Sequence, residues 1–209
     1  MAEVNGECLI DSTIDQLKNE GVNELVVNTH YRGQQLADHL KRRTDVQIHI
    51  SHEEEILNTG GGIKKAISHF NDEDFFVLSG DGLWTNGAHE TALNRLIGMW
   101  NPQKMDILML LQPTQNMKLT KGVGDYDLDH EGRAIRSKDQ SGEYMFTSIR
   151  INRAGIFDNA PEGSFSYLKL MDKAENEGRL YGLVHDANWY HISTPDDLNA
   201  VDEALKGRS

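Results

Sequence analysis

Phe75-Phe76-Val77-Leu78-Ser79-Gly80-Asp81-Gly82 sets the frame into which the rest of the chain fits. Residues 75–79 suit a buried strand and run straight into a polar turn that carries one carboxylate. A continuous apolar run closed by turn residues is the pattern of a parallel strand covered on both faces. Ligands of open α/β sheets sit beyond the carboxyl ends of the strands, and Asp81 stands at such an end. Gly80 and Gly82 let the backbone turn sharply and let a ligand come close.

Upstream of this stretch, Ile10, Ile14 and Leu17 share a helical face, with Gly21 as a natural stop. Leu25-Val26-Val27 reads as a short buried strand ending at Asn28-Thr29-His30. A helix from about Gly33 to Arg43 turns Leu36, Ala37 and Leu40 inward. Val46, Ile48 and Ile50 alternate with the strand period. A loop, Glu53 to Gly62, then leads into a helix carrying Ile63, Ala66, Ile67 and Phe70. Downstream come a helix with Leu93, Leu96, Ile97 and Trp100 and a strand over Ile107–Leu111. Strand and helix alternating at short intervals predict an α/β fold, a Rossmann-like three-layer sandwich with a mostly parallel sheet.

Beyond Pro113 the texture changes. Tyr126–Leu128, Arg133–Ile135 and Tyr144–Ile151 read as short strands split by Gly and Asp turns, a small antiparallel lobe. A helix near Ser166–Glu177 stops at Gly178, and Leu180–His185 and Trp189–Ile192 read as two more strands. Thr194 has the makings of a helix N-cap, with Pro195 first in the helix and Asp196 and Asp197 complementing its dipole. Leu198, Val201 and Leu205 then face the core. Without repeats, low-complexity tracts or an interdomain linker, the expectation is a single domain over residues 1–209.

Composition narrows the function classes. The chain has 209 residues, 38% hydrophobic and 26% charged, which fits a water-soluble globular protein. No apolar run approaches the roughly 20 residues of a membrane span, and Met1–Asn5 does not read as a signal peptide. A net charge of −12 argues against nucleic acid or an anionic membrane as partner. Phosphate binding would then need local amides, cations or a metal. One cysteine, Cys8, excludes a disulfide framework and fits the reducing cytoplasm.

Thr59-Gly60-Gly61-Gly62 is a run of backbone amides at a helix start, suited to a phosphate or a flat base, or equally a plain turn. Asp81 is placed to hold Mg²⁺ beside a substrate's phosphates, or to cap its own turn. His191, ending a second strand, meets Asp81 if the two strand ends are neighbours; otherwise it is a hydrogen-bonded structural residue. Lys121–Tyr126 and Phe146-Thr147-Ser148 offer groups that suit sugar hydroxyls, or a hairpin turn and strand. The run Glu53-Glu54-Glu55 reads as a solvated loop. Neither a nucleophile elbow nor a paired-cysteine zinc pattern is present.

In order and spacing these stretches resemble the sugar-1-phosphate nucleotidylyltransferase family over nearly the whole chain. Leu57–Ile63 resembles the family's Leu-Glu-Thr-Gly-Gly-Gly-Ile, Ser79-Gly80-Asp81 its Asn-Gly-Asp, Gly122–Leu128 its Gly-x-Gly-Asp-Phe-x-Leu, and Trp189–Pro195 its Trp-x-Asp-x-Gly-Thr-Pro. The resemblance implies an NTP and a sugar-1-phosphate as substrates, Mg²⁺ as cofactor, and an NDP-sugar of the UDP-MurNAc or GDP-mannose type as product. It places Asn28, Thr59, Gly60, Gly61, Gly62 and Gly80 at the nucleotide and Asp125 and Thr147 at the sugar. Asp81 becomes the catalytic carboxylate and, with His191, the metal ligand. The sequence also departs from the pattern. His191 stands for an Asp, Asn58 for a Glu, and Ser148 and Ser193 for two Gly. The chain as given opens after the family's Gly-x-Gly-x-Arg and Pro-Lys-Pro, so the expectation includes a lost strand, a lost phosphate cradle and a homodimer covering the open sheet edge. Losing even one preorganised electrostatic contact costs about 2.7–4 kcal/mol in the barrier. A catalytically inactive nucleotide-sugar-binding or regulatory homologue is therefore the alternative expectation.

Overall fold

A computed structural model describes residues 1–117 and 119–206. In chain order the strands are β1 (Glu3–Val4), β2 (Glu7–Cys8), β3 (Glu24–Thr29), β4 (Gln47–His52), β5 (Phe75–Val77), β6 (Gly82–Trp84), β7 (Ile107–Pro113), β8 (Tyr126–Leu128), β9 (Ala134–Arg136), β10 (Tyr144–Asn152), β11 (Leu180–Val184) and β12 (Trp189–His191). The α-helices are α1 (Leu9–Asn19), α2 (Gly33–Leu40), α3 (Asn58–Ala66), α4 (Ala92–Met99), α5 (Leu168–Asn176) and α6 (Pro195–Leu205).

Every residue of β7 is buried, because its alternating side chains feed two separate cores. Ile107, Met109 and Leu111 pack with Ile63 of α3 and Leu170, Met171 and Ala174 of α5. Leu108 and Leu110 pack with Leu17 of α1 and Ala92, Leu93 and Leu96 of α4. Helices therefore cover both faces of the central sheet. Each fully buried Leu contributes roughly 1.5–3 kcal/mol, so this strand anchors the molecule.

The central sheet is mixed, which corrects the expectation of a mostly parallel one. Its order is β11-β7-β10-β8-β9, with β5 also on β10. β10 runs antiparallel to β5, β7 and β8. Among the described strands, parallel ladders join β7 to β11 and, separately, β3 to β4. Strands joined by tight turns reverse direction, whereas parallel neighbours need a crossover. β8, β9 and β10 follow one another without a helix, and β11 comes only after α5. An apolar run covered on both faces carries no mark of its direction.

β3 forms no ladder with β5 among the described residues. Beside β3 lies a cavity of about 180 Å³ lined by Glu24, Leu25 and Val26 and, from the segment before β5, by Phe70 and Asp74. Leu25, Val26 and Val27, and likewise Phe76, Val77 and Leu78, are only half-buried. The expectation of a short buried strand over residues 25–27 is corrected accordingly.

A third core joins Val4 and Leu9 to Tyr190, Ile192 and Val201. It seats α6, whose start forms as read from sequence. The Thr194 side chain accepts from the Asp197 N–H, the Asp197 carboxylate answers on the Thr194 N–H, and Pro195 opens the helix. α2 ends at Leu40, earlier than expected. Arg43 lies past its end and binds Asp11, Asp15 and Asp45. No helix of the described residues is long and apolar enough to cross a membrane.

Candidate active site

The turn after β5 leads directly into β6, and β6 pairs antiparallel with β12, setting His191 opposite Gly82. The Ile192 N–H donates to the Asp81 carbonyl at 2.8 Å. Main-chain pairing thus carries two residues 110 positions apart (191 − 81) to one place, and their side chains follow. His191 Nε2 lies 3.6 Å from Asp81 Oδ2, with both side chains accessible. The Ser79 hydroxyl donates to Asp81 Oδ1 and fixes the carboxylate's rotation. A Cβ placed on Gly80 would meet nothing within 4 Å, so open space adjoins the carboxylate.

His191 is held from two further sides. Its N–H donates to Thr120 Oγ1 at 3.1 Å. Its ring stacks on Trp189, with centroids 5.7 Å apart and planes 14° from parallel. Asp125 lies within electrostatic reach of the same imidazole. Burial pushes its carboxyl above the usual range, and the Phe146 N–H, Arg136 and His191 oppose that push. The Phe146 N–H donates to Asp125 Oδ2 at 3.0 Å. Asp81 and His191 therefore meet at one rim of the fold, with Asp125 within electrostatic reach of the imidazole.

Other expected residues take different positions. Thr147 is buried, and its hydroxyl donates to the Leu110 carbonyl at 2.8 Å. It pins an irregularity in the β7–β10 ladder between Phe146 and Arg150, where Ser148 has a φ of 63°. Its hydroxyl is therefore unsuited to the sugar-binding role expected of it, whereas Asp125 is only half-buried.

The glycine run is corrected more sharply. Gly60, Gly61 and Gly62 are buried within α3. The Gly60 and Gly61 N–H groups both donate to the Phe165 carbonyl, at 3.0 and 3.3 Å. A Cβ on Gly60 would come within 2.4 Å of the Phe165 ring, and one on Gly61 within 2.2 Å of the Gly163 carbonyl oxygen. The small residues let segment 163–165 lie directly on the helix, so these two amides form no open phosphate cradle. Thr59, at the exposed start of α3, remains accessible, as does Asn28.

Two residues escape a reading from sequence. Glu53, expected in a solvated loop, is buried. Its carboxylate accepts from Asn28 Nδ2 at 3.2 Å and from the Leu57 N–H at 3.0 Å, tying β3 to the loop before α3. The only sequence signal was its position directly after β4. Arg150 is buried too, its guanidinium 4.0 Å above the Tyr167 ring and its Nε and Nη2 without acceptors. Desolvation lowers its pKa. An Arg in a strand otherwise alternating apolar residues is the signal that marks it.

Comparison with known proteins gives this arrangement a class. The Nucleotidyl transferase family model matches residues 1–207. The N-acetylmuramate α-1-phosphate uridylyltransferase of Caulobacter vibrioides is 31% identical, over 98% of this chain and 87% of that protein. The D-glycero-α-D-manno-heptose 1-phosphate guanylyltransferase of Aneurinibacillus thermoaerophilus is 23% identical, over 99% and 88%. Among solved structures, HddC from Yersinia pseudotuberculosis complexed with GMP-PN superposes with a TM-score of 0.79 at 21% identity, covering 99% of this chain and 89% of that one. At that identity the likeness speaks to the α/β fold alone. The chain belongs to the nucleotidyl transferase family, and within it to the sugar-1-phosphate nucleotidylyltransferases.

Proposed function

We propose that this protein transfers a nucleotidyl group from an NTP to a sugar-1-phosphate, giving an NDP-sugar of the UDP-MurNAc or GDP-mannose type and pyrophosphate. The reading includes a Rossmann-like three-layer fold, a cytoplasmic location and a homodimer covering the open β3 edge. The observation that carries the function is the meeting of Asp81 and His191 at the end of the β6–β12 pair, with Asp125 within electrostatic reach. The names of the relatives supply the substrate class.

In this reaction an oxygen of the sugar phosphate attacks the α-phosphorus of the NTP in line. The new P–O bond replaces the bond to the bridging oxygen, and pyrophosphate leaves with that electron pair. No covalent intermediate on the protein is needed, so the side chains position and balance charge. Asp125 fits the sugar hydroxyls, and Asp81 fits Mg²⁺, which takes oxygen ligands and keeps several waters. His191 fits it less well, since imidazole suits softer metals. When bound, Mg²⁺ supplies neutralisation of phosphate charge. Ser79 keeps Asp81 oriented, and Trp189 keeps the imidazole plane fixed.

A second reading, binding without turnover, draws on the Gly60 and Gly61 amides already paired with Phe165. Two measurements separate the readings: pyrophosphate release from NTP, Mg²⁺ and a panel of sugar-1-phosphates, and calorimetry with UDP- and GDP-sugars. Sugar-dependent pyrophosphate release supports the transferase. Saturable binding without release supports the binding module. No binding to any nucleotide sugar and no release together exclude both.

A further inference from the structure

Outside the Asp81 site, three side chains from three elements meet at the base of the N-terminal hairpin. Cys8 ends β2, Asp11 lies in the first turn of α1 and His39 in the last turn of α2. One donor atom of each, a sulfur, a carboxylate oxygen and a ring nitrogen, all lie within 4.8 Å of one another. His39 Nε2 is 2.6 Å from Asp11 Oδ2. Glu3, across the hairpin from Cys8, puts Oε1 3.6 Å from the sulfur. Cys8 is buried, and the Asp11 and His39 side chains are only 22% and 20% exposed.

We propose that Cys8, Asp11 and His39 form a structural zinc site, its fourth position filled by water or by Glu3 after a side-chain shift, that clamps the β1–β2 hairpin and α2 onto α1. The donor set selects the ion. Zn²⁺ takes sulfur, nitrogen and carboxylate oxygen in tetrahedral sites with bonds of about 2.0–2.3 Å. Bonds of that length put neighbouring donors roughly 3.5 Å apart, inside the range spanned here. Mg²⁺ and Ca²⁺ want oxygen alone. Arg43 Nη1 lies 3.4 Å from Asp11 Oδ1, on the oxygen that His39 does not use. The cation thus orients the carboxylate and leaves Oδ2 to the metal, as outer partners of metal ligands do. Binding displaces the thiol proton to solvent and opens the His39–Asp11 hydrogen bond, leaving a neutral imidazole and a thiolate on the ion.

Cys8 is the chain's one cysteine, which gives the test an unambiguous signature. The full-length, metal-stripped protein is titrated with Co²⁺ in the absorption spectrometer and with Zn²⁺ in the calorimeter. The expected result is one equivalent of either ion, a thiolate-to-cobalt charge-transfer band, and a rise in melting temperature with Zn²⁺. Cys8→Ser abolishes the band, and Cys8→Ser and His39→Gln each weaken Zn²⁺ by at least about tenfold. His39→Gln carries the test if Cys8→Ser fails to fold. Zn²⁺ affinity unchanged in the folded variants, or Co²⁺ bound without the thiolate band, overturns the proposal. So does the absence of binding.

Discussion

Asp125 is the residue at the site whose charge is most contested. Its carboxyl is raised by burial, so the folded state holds a proton more tightly than the unfolded state. Such a group contributes stability that is fully present below the unfolded value of about 3.9 and is lost as pH rises through the folded value. Asp125→Asn keeps an acceptor for the Phe146 N–H and removes the charge. It is expected to unfold at higher denaturant than the parent at pH 7, with the advantage shrinking towards pH 3; urea melts at several pH values measure this. Arg150 makes a related case away from solvent. Breaking even with burial needs a partner, and the Tyr167 ring is the guanidinium's main one. Arg150→Met is expected to leave stability unchanged or raise it by about 1–4 kcal/mol in denaturant melts. The meeting of Asp81 with His191 was legible in the sequence because each ends an apolar run at a turn. The role of Glu53 was not, because its partners Asn28 and Leu57 become neighbours only when β3 and β4 pair.

Among the elements, α3 shows how a local pattern acquires meaning from a distant segment. Three glycines at a helix start suggest open amides, yet the acceptor that occupies two of them is the Phe165 carbonyl, 105 residues beyond Gly60 (165 − 60). Sequence spacing cannot announce such a contact. Gly60→Ala therefore tests packing. With Phe165 only 2.4 Å from the added carbon, overpacking on the order of 1–3 kcal/mol is expected, read as a lower midpoint in urea. A role limited to ligand contact would leave that midpoint in place. α6 is the opposite case. Its Thr194, Pro195 and Asp197 signals are all local, and all form as the sequence implies. Strand direction falls between the two, since β10 looks the same in sequence whichever way it runs.

At the scale of the whole molecule, most of the order of strands and helices and the family were legible from pattern and motif, whereas the two-residue hairpin strands β1 and β2 and the three-residue β6 were too short to read. The separation of β3 from β5 depends on which edges pair, and the half-buried Leu25–Val27 and Phe76–Leu78 record it. The proposed function rests on one arrangement: the β6–β12 pair brings Asp81 and His191 together, with Asp125, from the loop before β8, within electrostatic reach. Paramagnetic broadening by Mn²⁺, substituting for Mg²⁺ in the presence of a UDP- or GDP-sugar, tests that arrangement in solution. The account predicts that the backbone resonances of residues 81, 125 and 191 broaden together at low Mn²⁺ and that Asp81→Asn abolishes the effect at all three. Broadening centred elsewhere in the chain, or at residue 81 with 125 and 191 untouched, would contradict it.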